Sequence, residues 1–160
     1  QLLFSKINLS FDKNFIKEKA SKDLNFDADM NTLNFGTHMH LLMEEVDFKT
    51  KDTSFIKNNF EKSRIDRVLN NAIFKNCVDA NIYKEYQFID EANNRNGIID
   101  LLLVYKEKAV VVDYKLKHIN DEAYVQQLNI YRNFVESYFK LPCECYLLSL
   151  IDDETKEIKK

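Results

Sequence analysis

Two apolar runs joined by a very short charged link constrain the fold of this chain more than any other feature of its sequence. The runs occupy residues 97–105 and 109–114, and only Lys106, Glu107 and Lys108 separate them. A crossover between parallel strands needs a dozen or more residues, so the link is too short for one. The two runs are therefore predicted to form an antiparallel β-hairpin.

Polar residues inside these runs define a candidate site. If Lys106 and Glu107 form the centre of the turn, strand pairing places Asp100 directly opposite Asp113. Facing residues have Cβ atoms about 4.5–5.5 Å apart, and two carboxylates at that distance repel each other unless a cation lies between them. A register slip of one residue would instead put the two aspartates on opposite faces of the sheet.

Lys115 and Glu85 extend this candidate site. Lys115 lies two residues beyond Asp113, so strand periodicity places both side chains on one face. Glu85 lies on a preceding strand, predicted over residues 83–89, and would join the cluster from a neighbouring ladder. Hard oxygen ligands of this kind suit Mg²⁺ or Mn²⁺, which can activate water and stabilise charge on a phosphodiester. The alternative is that the aspartates only end the strands and that Lys115 pairs with one of them at the surface.

The rest of the chain predicts an α/β (α+β) fold, in which helices flank a central mixed β-sheet that contains the hairpin. Helices are predicted over residues 38–46, 55–74 and 123–139, and a last strand over residues 145–151 after Pro142. Side chains of the strand 83–89 are predicted to alternate, with Tyr83, Glu85 and Gln87 on one face and Lys84, Tyr86 and Phe88 on the other.

Length and composition limit the classes of protein to which the chain can belong. Its 160 residues correspond to about one domain. Residues 1–34 are polar and weakly periodic and are predicted to be a helical lead-in to a domain over residues 35–160. Because the chain lacks an initiator Met, we expect it to be a fragment of a longer protein. No apolar run is long enough for a membrane span, and no secretory signal is visible.

Charge and cysteine content add two further expectations. The chain has 23 basic and 26 acidic residues, a formal net charge of −3, so a DNA-binding role would need a local basic strip or another domain. Cys77, Cys143 and Cys145 are odd in number and lack CxxC spacing, so neither a disulfide framework nor a thiolate metal cluster is expected. Buried thiols in a reducing cytoplasm are the simplest interpretation.

Two helices carry polar pairs at a spacing of four residues. In the first, Gly36 and Thr37 suggest a break and an N-cap, after which His40 and Glu44 share one face. His40 would be a metal ligand or a phosphate contact, or else a satisfied or a surface histidine. In the last helix, Gln127 and Tyr131 share one face and would hold the site strand or reach a DNA backbone, unless they are ordinary surface and core groups.

Four short motifs follow one another along the chain. Residues 36–44 contain Gly-Thr-x-x-His-x-x-x-Glu, residues 97–101 Gly-x-Ile-Asp-Leu, residues 112–115 Val-Asp-Tyr-Lys and residues 124–131 Tyr-x-x-Gln-x-x-x-Tyr. In this order, the motifs resemble those of the nuclease domain of the RecB and AddA helicase–nucleases, a branch of the PD-(D/E)xK nuclease superfamily. The resemblance covers residues 35–150, most of the chain.

The resemblance implies a restriction-endonuclease-like core and a metal site. Asp100 and Asp113 correspond to the two metal-binding aspartates, assisted by His40 and the backbone carbonyl of Tyr114. Lys115 corresponds to the catalytic lysine that positions or activates the attacking water. The implied cofactor is Mg²⁺ or Mn²⁺.

Further residues take supporting roles by the same resemblance. Glu85 falls where the family carries an acidic residue on the strand before the hairpin. Gln127, Tyr131 and Glu44 would support the site or contact the DNA. One departure is Leu116, since the family usually has Ser or Thr after the lysine, and a polar contact near the metal is then missing.

The implied function is hydrolysis of DNA phosphodiesters during the processing of DNA ends for recombinational repair. The implied partners are single- or double-stranded DNA and a linked or partner helicase, with no membrane. The main alternative is a nuclease-like fold kept as a non-catalytic scaffold or DNA-binding module of a helicase complex. A small-molecule enzyme with a carboxylate–histidine metal site is disfavoured because no second motif for a small substrate is present.

Overall fold

The structure, a computed structural model, describes residues 30–116, 119–120, 122–152 and 154–160, with side chains from Phe35 onward. The α-helices of this part are α1 (Met30–Glu45), α2 (Asn59–Leu69) and α3 (Glu122–Phe139), and short 3₁₀ helices lie at Ala72–Phe74 and Cys77–Asp79. The strands are β1 (Asn81–Asp90), β2 (Arg95–Val104), β3 (Ala109–Lys115), β4 (Cys143–Ser149) and β5 (Thr155–Ile158). Residues 1–29, most of the predicted lead-in, lie outside the described residues.

The five strands form one mixed sheet in the order β1-β2-β3-β4-β5. Neighbouring strands are antiparallel except β3 and β4, which are parallel and are joined through α3. Helices α1 and α2 cover one face of the sheet, and α3 covers the other, so each face has its own apolar core. The predicted class, a central mixed sheet with an antiparallel hairpin flanked by helices, is confirmed. The restriction-endonuclease-like core that the resemblance implies stays a prediction.

The register predicted for the β2–β3 hairpin is confirmed. The backbone N–H of Tyr105 donates to the carbonyl of Lys108 at 2.8 Å, which leaves Lys106 and Glu107 at the centre of the turn. Further along, Leu101 is paired with Val112. The one-residue slip is therefore excluded, and continuing the same register brings Asp100 across from Asp113.

The alternation predicted for β1 is wrong, because the strand changes face at Glu85. Glu85 has a backbone φ of 48°, a left-handed value that interrupts the pleat. As a result, the rings of Tyr83 and Tyr86 lie on the same face, 5.5 Å apart, and both contact Phe139 of α3. Lys84 lies on the other face, where its Nζ donates to a backbone carbonyl at the end of α1.

Helix α1 begins earlier than predicted. It spans Met30–Glu45, so Gly36 and Thr37 lie inside the helix rather than at its start, and the helix crosses the expected boundary between residues 34 and 35. A glycine inside a helix costs only about 1 kcal/mol relative to alanine. Burial of the helix's apolar face, including Met39 and Met43, offsets that cost.

Helix α2 is shorter than the predicted segment 55–74. The side-chain oxygen of Asn58 accepts hydrogen bonds from the backbone N–H groups of Phe60 and Glu61, which fixes the N-terminus. After Asn70 the chain turns into a 3₁₀ helix, whose first residue follows the capping Asn71. Two asparagine caps therefore set boundaries that apolar periodicity alone did not reveal.

The last elements agree with the prediction in kind, with shifted bounds. Helix α3 ends at Phe139, and Lys140 has a φ of 57° before the chain reaches Pro142. The last predicted strand, 145–151, appears as β4 two residues earlier, and β5 was not predicted because its sequence Thr-Lys-Glu-Ile is mostly polar. Across the described residues, we find no helix with the length and apolar character needed to cross a membrane.

Candidate active site at the open end of the hairpin

Strands β2 and β3 stop pairing where the candidate site begins. Their paired register ends at Leu101 and Val112. Beyond this point, a carboxylate oxygen of Asp100 accepts a hydrogen bond of 2.7 Å from the backbone N–H of Tyr114. The side chain of Asp100 thus takes the place of a ladder acceptor, and this contact holds its carboxylate between the two strands. We refer to this region as the open end of the hairpin.

A buried ion pair lies beside this open end. Lys115 Nζ is 2.9 Å from Asp113 Oδ2, and the two side chains are only 1% and 0% exposed. The two residues are on one face of β3, as the strand periodicity predicts. The Lys115 ammonium also lies 3.9 Å from the centre of the Tyr124 ring, which comes from the first turn of α3. Removing a charge from water costs several kcal/mol per ion. A buried ion pair of this kind is therefore a candidate for a functional site.

Tyr114 is a buried phenol whose ionisation is affected by several carboxylates. Burial raises the pKa of the Tyr114 phenol well above its ordinary value, and the charges of Asp100, Glu85, Asp113 and Glu44 raise this pKa further. Its hydroxyl is buried and has no hydrogen-bond partner among the described residues. The four carboxylates come from β2, β1, β3 and α1, so side chains of four separate segments make the surroundings of Tyr114 negatively charged.

His40 reaches this place from α1. Its side chain is buried, and its ring meets Tyr114 edge-on with the ring centres 6.0 Å apart. Tyr114 belongs to the core beneath α1, whereas Asp113 and Lys115 face α3. His40 and Lys115 therefore approach the end of β3 from opposite faces of the sheet.

Gln127 and Tyr131 form a hydrogen-bonded pair that supports β2. Gln127 Nε2 donates to the Tyr131 hydroxyl at 2.9 Å. The buried Tyr131 ring packs edge-on against Phe88, and a Cβ atom added at Gly97 would lie only 2.8 Å from it. This burial favours support of the site strand over contact with a DNA backbone. It also explains why the start of β2 carries a glycine.

Sequence reasoning missed two residues beside Lys115. Ser149 of β4 is paired with Lys115 in the parallel ladder, and its buried hydroxyl donates to the Leu116 carbonyl at 3.1 Å. A serine between two leucines of an apolar strand was the available signal. Tyr124 lies within the last motif, but its contact with Lys115 could not be predicted, because a sequence does not show which side chain a ring will cover.

The donors at the open end fit a hard divalent cation in their chemistry. They are carboxylate oxygens and one imidazole, with the Tyr114 carbonyl nearby. A carboxylate has about four lone-pair positions, so it can bind a cation while it accepts other contacts. Among the described residues, no three histidine, cysteine or carboxylate side chains already lie at the mutual distances of a formed metal site.

No protein-family model matches this chain, and no curated protein matches its sequence significantly. The function of the chain is therefore inferred from the four motifs and from the geometry of the residues that they contain.

Proposed function

We propose that this chain is a metal-dependent nuclease domain that hydrolyses DNA phosphodiester bonds at the open end of the β2–β3 hairpin. The proposal rests above all on the buried Asp113–Lys115 pair next to Asp100, whose carboxylate is anchored on the Tyr114 N–H. Two strand-end carboxylates with a lysine on the same face are what the motif resemblance implies for a catalytic centre. A surface role for these charges, the simpler alternative, does not fit their burial.

Asp100 and Asp113 would hold Mg²⁺ or Mn²⁺, with His40 and the Tyr114 carbonyl as further ligands. Such a cation supplies Lewis acidity and lowers the pKa of bound water. The residues of the chain fix the donors. Asp100 is held by the Tyr114 N–H, and Asp113 is held by the Lys115 ammonium.

Lys115 would orient the attacking water and stabilise negative charge on the phosphate. Its ammonium carries three N–H donors, which can serve Asp113 and a further oxygen atom together. Glu85, whose left-handed backbone turns its residue out of the regular pleat of β1, would orient water from the neighbouring strand. Gln127 and Tyr131 would keep β2 in place, and Glu44 would add negative charge from α1.

The substrate would be linear DNA, and a linked or partner helicase would deliver it. With 23 basic and 26 acidic residues, the chain itself supplies little net phosphate attraction. A partner that feeds the strand to the site would remove the need for a large basic surface. The resemblance implies DNA end processing for recombinational repair as the setting.

The test is cleavage of linear single- and double-stranded DNA with Mg²⁺, with Mn²⁺ and with a chelator. Asp100→Asn and Lys115→Ala are the site variants, and Lys106→Ala at the turn of the same hairpin is the matched control. We expect metal-dependent cutting that each site variant lowers by at least about 100-fold and that Lys106→Ala leaves intact. Cutting that survives both site variants would contradict the proposal.

If the wild-type chain cuts nothing, metal binding by calorimetry separates the two remaining cases. Metal binding that Asp100→Asn abolishes would indicate a competent site that lacks its helicase. No metal binding at all would favour the non-catalytic scaffold.

A further inference from the structure

The aromatic ring of Tyr124 covers the Lys115 ammonium at close range. The Nζ atom lies 3.9 Å from the ring centre, well inside the roughly 6 Å limit for a cation–π contact. Both side chains are buried, with Tyr124 at 5% exposure and Lys115 at 1%. In contrast, the contact between Lys108 and Tyr105 at the turn end of the hairpin spans 5.9 Å, and the Lys108 side chain is 46% exposed.

The contact gives Lys115 a support of a particular chemical kind. The negative face of an aromatic ring attracts an ammonium without presenting a carboxylate that would compete for its protons. Asp113 holds the ammonium from one side at 2.9 Å, and the ring limits its movement from another. The N–H donors then keep a fixed direction, which matters because small misplacements of a catalytic group cost large factors in rate.

We propose that Tyr124 is a positioning residue, whose ring holds the Lys115 ammonium in its working orientation. This inference rests on the proposed nuclease function. The attraction comes from the face of the ring, so phenylalanine at position 124 should keep the role of tyrosine. Leucine, which is similarly apolar but has no ring, should not keep it.

The test replaces Tyr124 with Phe, with mono-, di- and trifluorinated phenylalanine, and with Leu. Fluorine withdraws electrons from the ring face and weakens cation binding stepwise while shape and apolar character change little. Single-turnover DNA cleavage in Mg²⁺ is measured for each variant. The same series at Tyr105 is the internal control, because that ring covers an exposed lysine at the other end of the hairpin.

We expect Tyr124→Phe to cut within about 3-fold of the wild type, and the fluorinated series to lose rate progressively, up to about 10- to 30-fold. Tyr124→Leu should lose at least as much, and the series at Tyr105 should be flat. A flat series at Tyr124 in a chain that cuts DNA would overturn the positioning role and leave the nuclease proposal standing.

A second readout does not depend on cleavage. The folding equilibrium constant of each Tyr124 variant is measured by chemical denaturation with Lys115 and with Lys115→Met. Fluorination should lower this constant only where Lys115 is present, and equal effects in both backgrounds would overturn the contact itself. If the coupling to Lys115 is present but the wild type neither cuts DNA nor binds a divalent metal, the nuclease proposal fails, and with it the positioning role.

Discussion

The two ends of the β2–β3 hairpin are built from the same pair of strands and differ in almost every other respect. At the turn, a backbone hydrogen bond closes the ladder, and Lys108 pairs with Glu144 at 3.1 Å with both side chains well exposed. At the open end the ladder has stopped, a carboxylate takes up a backbone N–H, and the Asp113–Lys115 pair is buried.

The Lys108–Glu144 pair at the turn stays in contact with water. The Asp113–Lys115 pair at the open end is buried, so the fold has to accommodate two charges away from water. An exposed ion pair contributes about 0–1 kcal/mol. Burying two charges costs several kcal/mol per ion before their attraction offsets it. The chain therefore keeps two buried charges at the open end, where an apolar pair is often at least as stable. We expect such a pair to be kept for function rather than for stability.

The largest expected effect comes from breaking the buried pair on one side. Asp113→Ala leaves the Lys115 ammonium buried without this carboxylate and should destabilise the fold by about 3–5 kcal/mol. Glu144→Ala, which breaks the exposed pair at the turn, should cost about 0–1 kcal/mol. Chemical denaturation measures both, and similar losses for the two variants would remove the contrast between the ends.

Replacing both partners of the buried pair separates its effect on stability from its effect on activity. The double variant Asp113→Leu, Lys115→Met exchanges the buried charges for apolar side chains and should be as stable as the wild type or up to about 4 kcal/mol more stable. Because both charged side chains are missing, this double variant should cut no DNA. A double variant that is less stable than Asp113→Ala would show that the pair is kept for stability.

The next largest change in stability is expected from a substitution of Gly97 at the start of β2. A Cβ atom at Gly97 would lie 2.8 Å from Tyr131 and 2.9 Å from Phe88, so Gly97→Ala should cost about 1–3 kcal/mol by overpacking. The control is Gly36→Ala in α1, where the nearest side-chain atom, from Leu116, is 3.7 Å away. There the higher helix propensity of alanine should gain about 0.5–1 kcal/mol. Thermal unfolding measures the stability of both variants, and changes of the same sign would contradict this prediction.

The smallest change in stability is expected from removing the hydroxyl group of either of two tyrosines. The Tyr114 hydroxyl lacks a hydrogen-bond partner among the described residues, so Tyr114→Phe should leave stability at pH 7 equal or raise it by about 1 kcal/mol. Tyr146, whose hydroxyl donates to Glu144 at 3.1 Å, provides the control, and Tyr146→Phe should lower stability. Denaturation at pH 7 distinguishes the two, and a loss for Tyr114→Phe would mean that its hydroxyl is bonded.

The same two residues have a predictable pH dependence. Burial raises the pKa of Tyr114 well above 10.0, and burial followed by the Glu144 hydrogen bond raises the pKa of Tyr146 to about 12. The folded state holds these phenol protons more tightly than the unfolded state does. The contribution of each tyrosine to stability is therefore complete below pH 10 and is lost as the pH rises above it. Each Phe variant should therefore show a shallower loss of stability between pH 10 and 11, as followed by denaturant titration. An unchanged slope would contradict the direction of the shift.

The hairpin register could be predicted because the two apolar runs and the three-residue link leave few ways to pair them. Lys115 beside Asp113 followed from the period of the strand. The change of face in β1 could not be predicted, since nothing in the residue type of Glu85 signals a φ of 48°. Similarly, Gly36 suggested the start of a helix, whereas burial of the helix's apolar face determines where α1 runs.

The most direct test of this account is to compare DNA cleavage by the wild-type chain and by the Asp113→Leu, Lys115→Met double variant, after denaturation has shown that both are folded. We expect Mg²⁺-dependent cutting by the wild type and none by an equally stable double variant. Equal cutting by both proteins would contradict the claim that the open end of the hairpin is a catalytic site.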